Sequence, residues 1–149
     1  MADVFSRTKR SAIMARVRGK HTAPEKAVKK LLRGAGLRYR SHASGLPGTP
    51  DIVLIDHKTA IFINGCFWHG HRGCRRSKLP MTNTTFWKKK IAGNMRRDSA
   101  ATKELRKFGW KVLTYWTCAK PKAFALKTSE RLLRRPSKSV TCKRSCRRV

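Results

Sequence analysis

A chain of 149 residues has one-domain length, and its 37 Lys plus Arg against 7 Asp plus Glu give a formal charge of +30. That field attracts a polyanion and repels other copies of the chain, so nucleic acid leads as partner, ahead of an anionic membrane or a ribosomal-type or merely supercharged protein. No apolar run approaches the ~18 residues of a membrane span, and Met1–Arg7 lacks the apolar core of a secretory signal, so the five Cys of an expected cytoplasmic chain point to metal or chance, not disulfides.

Residues 1–21 are basic and weakly periodic, and read as an arm with one helical turn around Ser11–Val17. Thr22-Ala23-Pro24-Glu25 starts a helix, with Thr22 as N-cap, Pro24 in the first turn and Glu25 at capping-box spacing. Ala27, Val28, Leu31 and Leu32 form its apolar stripe, and Gly34 and Gly36 stop it. Leu37–His42 reads as a short strand, and Gly45–Pro50 as a rigid, turn-rich loop. Asp51–Ile55 and Thr59–Ile63 are apolar runs joined by a tight turn at Asp56-His57-Lys58, which predicts a buried hairpin. Residues 64–83 form a loop bearing Cys, His, Trp and Arg. Thr84 or Thr85 then caps a long helix over Phe86–Phe108, ended by Gly109, and Trp110–Trp116 is the last strand. A short helix covers Ser129–Leu133. The basic stretch 123–149 is expected to be a disordered tail around it. The order helix, strands, helix, strand predicts an α/β fold with helices flanking a small mixed sheet.

Several constellations carry chemistry. Asp51 follows a rigid loop at the start of a strand, where a carboxylate can hold a hard cation; an Asp after Pro is also a common turn residue. Cys66, His71 and Cys74 share one loop, and Cys118 follows the last strand. Together they can close a tetrahedral Zn²⁺ site, or they can be ordinary thiols and a surface His. Cys142 and Cys146 form a rival pair in the tail. Phe67 and Trp68 are adjacent on a polar loop, with Trp87 at the start of the long helix. Such rings can wedge into a base stack or pack against the loop. His69 is the candidate general base, Asp98 can orient its far ring nitrogen, and Glu25 can hold a metal-bound water.

Taken in order, Thr22–Glu25, Leu46–Asp51, Ile61–His69, Pro80–Trp87, Asn94–Asp98 and Gly109–Cys118 resemble the very short patch repair (Vsr) endonucleases over about residues 8–120. The resemblance implies a restriction-endonuclease-like fold over residues 22–122, between the basic arm 1–21 and the tail. It also implies a bacterial, nucleoid-associated, Mg²⁺-dependent enzyme that nicks duplex DNA 5′ to the thymine of a T:G mismatch. In that picture Asp51 and the carbonyl of Ile63 bind catalytic Mg²⁺, His69 is the base, and Cys66, His71, Cys74 and Cys118 hold structural Zn²⁺. Phe67, Trp68 and Trp87 wedge beside the mismatch from the major groove, while the arm, including Met14, lies in the minor groove. Arg72, Arg75, Arg76 and Lys78 are expected mostly to hold phosphates, with a guanine edge as the alternative contact for one of them.

The chain departs from the family pattern in three places. Asn64 stands where members carry His or Asp, two residues separate His71 from Cys74 instead of one, and the usual apolar terminal helix is replaced by a basic run. Asn64 enters the expected catalytic set as a neutral donor, and it motivates an alternative: a catalytically weak, zinc-stabilised DNA-binding protein of the same fold. A monomer is expected from the charge, with mismatch-repair proteins as candidate partners.

Overall fold

The computed structural model describes residues 21–134, with residues 6, 8, 9, 12, 15 and 16 ahead of them. Met14, the tail beyond residue 134 and most of the expected turn at 11–17 lie outside the described residues.

Helix α1 is Ala23–Gly34, with Pro24 in its first turn. Thr22 occupies the N-cap position but makes no side-chain cap bond, so only half of the expected capping box is present. The Glu25 carboxylate takes the Thr22 backbone N–H. Strand β1 is short, Arg40–Ser41. The expected strand from Leu37 to His42 shrinks to these two residues, which pair antiparallel with Val53 and Ile52. Strands β2 (Ile52–Leu54) and β3 (Thr59–Asn64) form the hairpin read from the sequence. Their turn, Ile55–Lys58, places Lys58 in the left-handed region (φ 45°). Helix α2, Thr84–Lys107, crosses to β4, Lys111–Trp116, which lies parallel to β3 with Ile61 opposite Leu113 and Asn64 opposite Trp116. A parallel neighbour requires such a long crossover. The residue at the N-cap of α2 is Asn83, not a Thr; the Thr84 hydroxyl instead donates within the preceding turn, to the carbonyls of Pro80 and Met81.

The result is a four-stranded mixed sheet in the order β1-β2-β3-β4. Alternate strand residues point to opposite faces. One face, carrying Ile52, Leu54, Ile61 and Tyr115, joins Val28, Leu32 and Leu37 in the main core. Helix α3, Pro121–Leu133, completes that core through Ala125 and Leu132 and packs on α1. The short helix expected over Ser129–Leu133 thus begins eight residues earlier, and residues 123–128, expected to be disordered tail, belong to it. Phe124, Ala125, Thr128 and Leu132 recur at helical spacing, and their small or apolar faces suit burial despite the basic residues between them. Helix α2 packs on β4 at the other face. There, a Cβ on Gly48 (φ +73°) would lie 2.6 Å from Ala101 and 3.2 Å from Phe62. Glycine at that position lets the loop before Asp51 press between helix and sheet. Among the described residues no helix is long and apolar enough to cross a membrane.

Candidate active site

Asp51 sits one residue before β2, and the β2–β3 register brings it beside the end of β3. Its Oδ2 accepts the Ile63 backbone N–H at 2.7 Å. Burial pushes the Asp51 carboxyl above its usual range. The Ile63 bond pulls it back, the Glu25 charge pushes it further up, and His42 and Lys29 oppose that. A carboxylate whose ionised form is penalised in this way favours a nearby cation. Glu25 is buried, in the first turn of α1, ion-paired to Lys29, with His42 Nε2 3.0 Å from its Oε1. Burial raises its carboxyl, but those partners more than offset this and hold it below the usual value.

Beyond Asn64, which is itself buried, the chain leaves the sheet as a compact loop. The His69 N–H donates to the Gly65 carbonyl and the His71 N–H to that of Cys66. One face of α2 clamps this loop. Asn94 donates to the Trp68 carbonyl at 2.8 Å, and Asp98 Oδ2 lies 2.5 Å from His69 Nδ1. Gly70 (φ +58°) fits because a Cβ there would meet the Met95 sulfur at 2.7 Å and Ile91 at 3.1 Å. Trp87, Ile91, Asn94, Asp98 and Ala101 are spaced by three or four residues, so a single helix face fixes the whole loop. The His69–Asp98 contact leaves Nε2 of the imidazole as the atom available to a reacting water.

The aromatic residues form a cluster. The Phe67, Trp68 and Trp87 rings meet edge-to-face with centroids 5.2 to 5.9 Å apart. Trp87 is buried, Phe67 and Trp68 are half-buried, and Phe86, 60% exposed, extends the cluster towards solvent.

Cys66, His71, Cys74 and Cys118 bring their ligand atoms within 4.8 Å of one another. His71 Nδ1 lies 3.4 Å from Cys118 Sγ, and its ring stacks on Trp116 at 4.1 Å. The Tyr115 hydroxyl donates to the Ala119 carbonyl and Arg76 to that of Thr117, which pins the turn carrying Cys118. Arg76 is thus engaged within the fold. Burial raises the Cys66 thiol, but hydrogen bonds from His71, Thr117 and Cys118 bring it down to about 7. Cys118 is pushed up to about 11 by desolvation and the neighbouring sulfurs. Three thiols and an imidazole at this separation fit a tetrahedral soft-metal site, where a divalent cation would take all of them deprotonated.

A family model described as DNA mismatch endonuclease Vsr matches residues 2–76, which include Glu25, Asp51, Ile63, His69 and the Cys66–Cys74 loop. The chain belongs to the Vsr family. Among similar Vsr-type proteins, the type II nicking enzyme V.NmeAIP of Neisseria meningitidis is 44% identical over 90% of this chain and 96% of its own. The type II nicking enzyme V.XorIIP of Xanthomonas oryzae is 42% identical over 92% of this chain and all of its own. The DNA mismatch endonuclease Vsr of Escherichia coli is 43% identical over 80% of this chain and 76% of its own. Vsr proteins are thus a family of DNA endonucleases.

Several residues around the Vsr-type site escaped the sequence reading. Asn94 was detectable as a polar residue on the buried stripe of a helix. Trp116, Lys29, His21 and His42 gave no local signal, because each acts through a partner distant in the chain or across a helix turn.

Proposed function

We propose that the protein is a Mg²⁺-dependent, strand-specific endonuclease of restriction-endonuclease-like fold that nicks duplex DNA 5′ to the thymine of a T:G mismatch. The observation that carries this reading is the convergence of two half-sites at one end of β3: Asp51 bonded to Ile63, and the His69–Asp98 pair on the loop that follows. The name and 43% identity of the Escherichia coli relative support the mismatch substrate.

Asp51 and the Ile63 carbonyl would hold Mg²⁺ through hard oxygen donors, and Glu25 would hold a water of its shell. The bound ion would offset charge on the scissile phosphate. His69 takes a proton from the attacking water at Nε2, and Asp98 fixes the ring and stabilises the imidazolium that results. Asn64 can donate to a phosphate oxygen or a water but cannot titrate. Phe67, Trp68 and Trp87 would insert beside the mismatch from the major groove. A T:G wobble is cheaper to unstack than a C:G pair, so deformation itself discriminates. Cys66, His71, Cys74 and Cys118 would hold Zn²⁺ and so keep the wedge and the base on one rigid loop. The arm, with Met14, would lie in the minor groove, and Arg72, Arg75 and Lys78 would hold phosphates. The +30 charge favours a monomer on DNA, with mismatch-repair proteins as candidate partners.

Incubation with a T:G duplex and Mg²⁺ should give one nick, on the T strand. Equal cutting of a C:G control would overturn the mismatch reading. Asp51→Ala should abolish nicking while duplex binding persists. The buried Asn64 favours one second reading, a catalytically weak DNA-binding protein, which predicts salt-sensitive duplex binding with no nick under any divalent metal.

A further inference from the structure

A second group of metal-ligating side chains lies away from the thiol cluster. His21 lies just before Thr22, the N-cap of α1, Glu25 is in the first turn of that helix, and His42 follows β1. Their ligand atoms all lie within 4.8 Å of one another. The two imidazoles meet edge-to-face with centroids 5.1 Å apart. Both histidines have left-handed backbones, with φ of 57° at His21 and 49° at His42. His42 Nε2 is 3.0 Å from Glu25 Oε1. Even so, that buried nitrogen makes no properly directed hydrogen bond. A buried ring nitrogen facing a carboxylate without a directed bond is costly as a structural element. It is well suited to sharing a cation with that carboxylate.

We propose that His21, Glu25 and His42 form a further metal site, apart from the thiol cluster and next to the Asp51–Ile63 pair, with which it shares Glu25, and that it takes a borderline divalent transition metal such as Zn²⁺, Co²⁺ or Mn²⁺. Two imidazoles and a carboxylate form a donor set for such ions, whereas Mg²⁺ prefers oxygen and dehydrates reluctantly. Lys29 strengthens the discrimination. Its ammonium shares Glu25 and repels any cation there, so binding must come from bonds to nitrogen more than from charge. His21 is exposed, which leaves an open side for water or a phosphate oxygen to complete the coordination. The site would tie the root of the N-terminal arm to α1 and to the end of β1. It also adjoins the catalytic carboxylate: the His42 N–H donates to the Asp51 backbone carbonyl at 3.3 Å. The inference does not depend on the nuclease reading, since it concerns binding alone.

Co²⁺ titration of the metal-stripped full-length protein tests it, because cobalt reports its ligands. Ions in the thiol cluster give intense sulfur-to-cobalt charge transfer; an ion held by His21, Glu25 and His42 gives only the weak visible bands of a nitrogen and oxygen site. With a large excess of Mg²⁺ present to fill the oxygen-donor Asp51–Ile63 site, the wild type should bind two equivalents of Co²⁺, one of each type. His21→Asn, at an exposed position that leaves the core untouched, should lose the sulfur-free equivalent and keep the other. His42→Gln should do the same. A wild type that shows no sulfur-free equivalent, or a His21→Asn variant that retains it, would overturn the proposal.

Discussion

Replacing Asp98 by Asn tests the assignment of His69 as base, because it keeps the shape of the partner and removes its charge. When His69 accepts a proton it becomes a cation with the Asp98 carboxylate 2.5 Å from its Nδ1. At an effective dielectric near 20, unit charges ~4 Å apart attract by about 4 kcal/mol. Solvent screens this pair, since the side chains are 26% and 39% exposed. Fully exposed pairs return less than about 1 kcal/mol, so the half-buried dyad falls between, at about 2 kcal/mol. That corresponds to a rate loss of roughly thirtyfold. The loss should fall on the chemical step, because the contact Asp98 makes is with the His69 ring. Single-turnover nicking of a T:G duplex at saturating enzyme measures that step, and fluorescence anisotropy measures duplex affinity separately. An Asp98→Asn protein that nicks at the wild-type rate would refute the assignment. So would one whose entire loss lies in affinity.

Trp68→Ala should lose rate on T:G and mismatch preference together, because Trp68 and His69 share one clamped loop; weaker preference at an unchanged T:G rate would separate the two. Gly70→Ala, which forces a side chain into the left-handed region at φ +58° and against Met95, should cost about 1–3 kcal/mol in a denaturant titration. An unchanged midpoint would show that the loop is not held there. Glu25→Gln breaks a buried ion pair and should destabilise the fold by roughly 3–5 kcal/mol at neutral pH. The folded state holds the Glu25 carboxyl below its ordinary 4.5, so its contribution is present above that pH and lost as pH falls through the lowered folded value. The stability gap between wild type and Glu25→Gln should therefore close in acid; a gap independent of pH would count against the pairing. If zinc fills the thiol cluster, chelation should lower the thermal midpoint and abolish nicking together, and loss of nicking with an unshifted midpoint would argue that the cluster is not structural.

The sequence by itself determined the elements whose information is local. Periodicity placed α1, the β2–β3 hairpin, the long helix and β4, since burial on one face imposes a repeat of two or 3.6 residues. Residue chemistry at short spacing marked Asp51, His69 and the Cys66–Cys74 loop. The C-terminal part of the described residues was harder to read. Only the last part of helix α3, Ser129–Leu133, was legible, because composition averages its exposed basic residues with a buried stripe of small side chains. Only α1, lying across from it, gives that stripe something to cover. The three-dimensional fold also decided every relation between distant segments. Asp51 meets Ile63 because the hairpin register sets them side by side, and His69 meets Asp98 because the crossover helix returns over the loop. Cys118 reaches His71 only because β4 lies parallel to β3. Neither His42 nor His21 carries a signal of its own in the sequence. Their significance arises where a strand end, a helix start and an arm converge on one buried carboxylate, and such convergence is a property of packing, not of spacing along the chain.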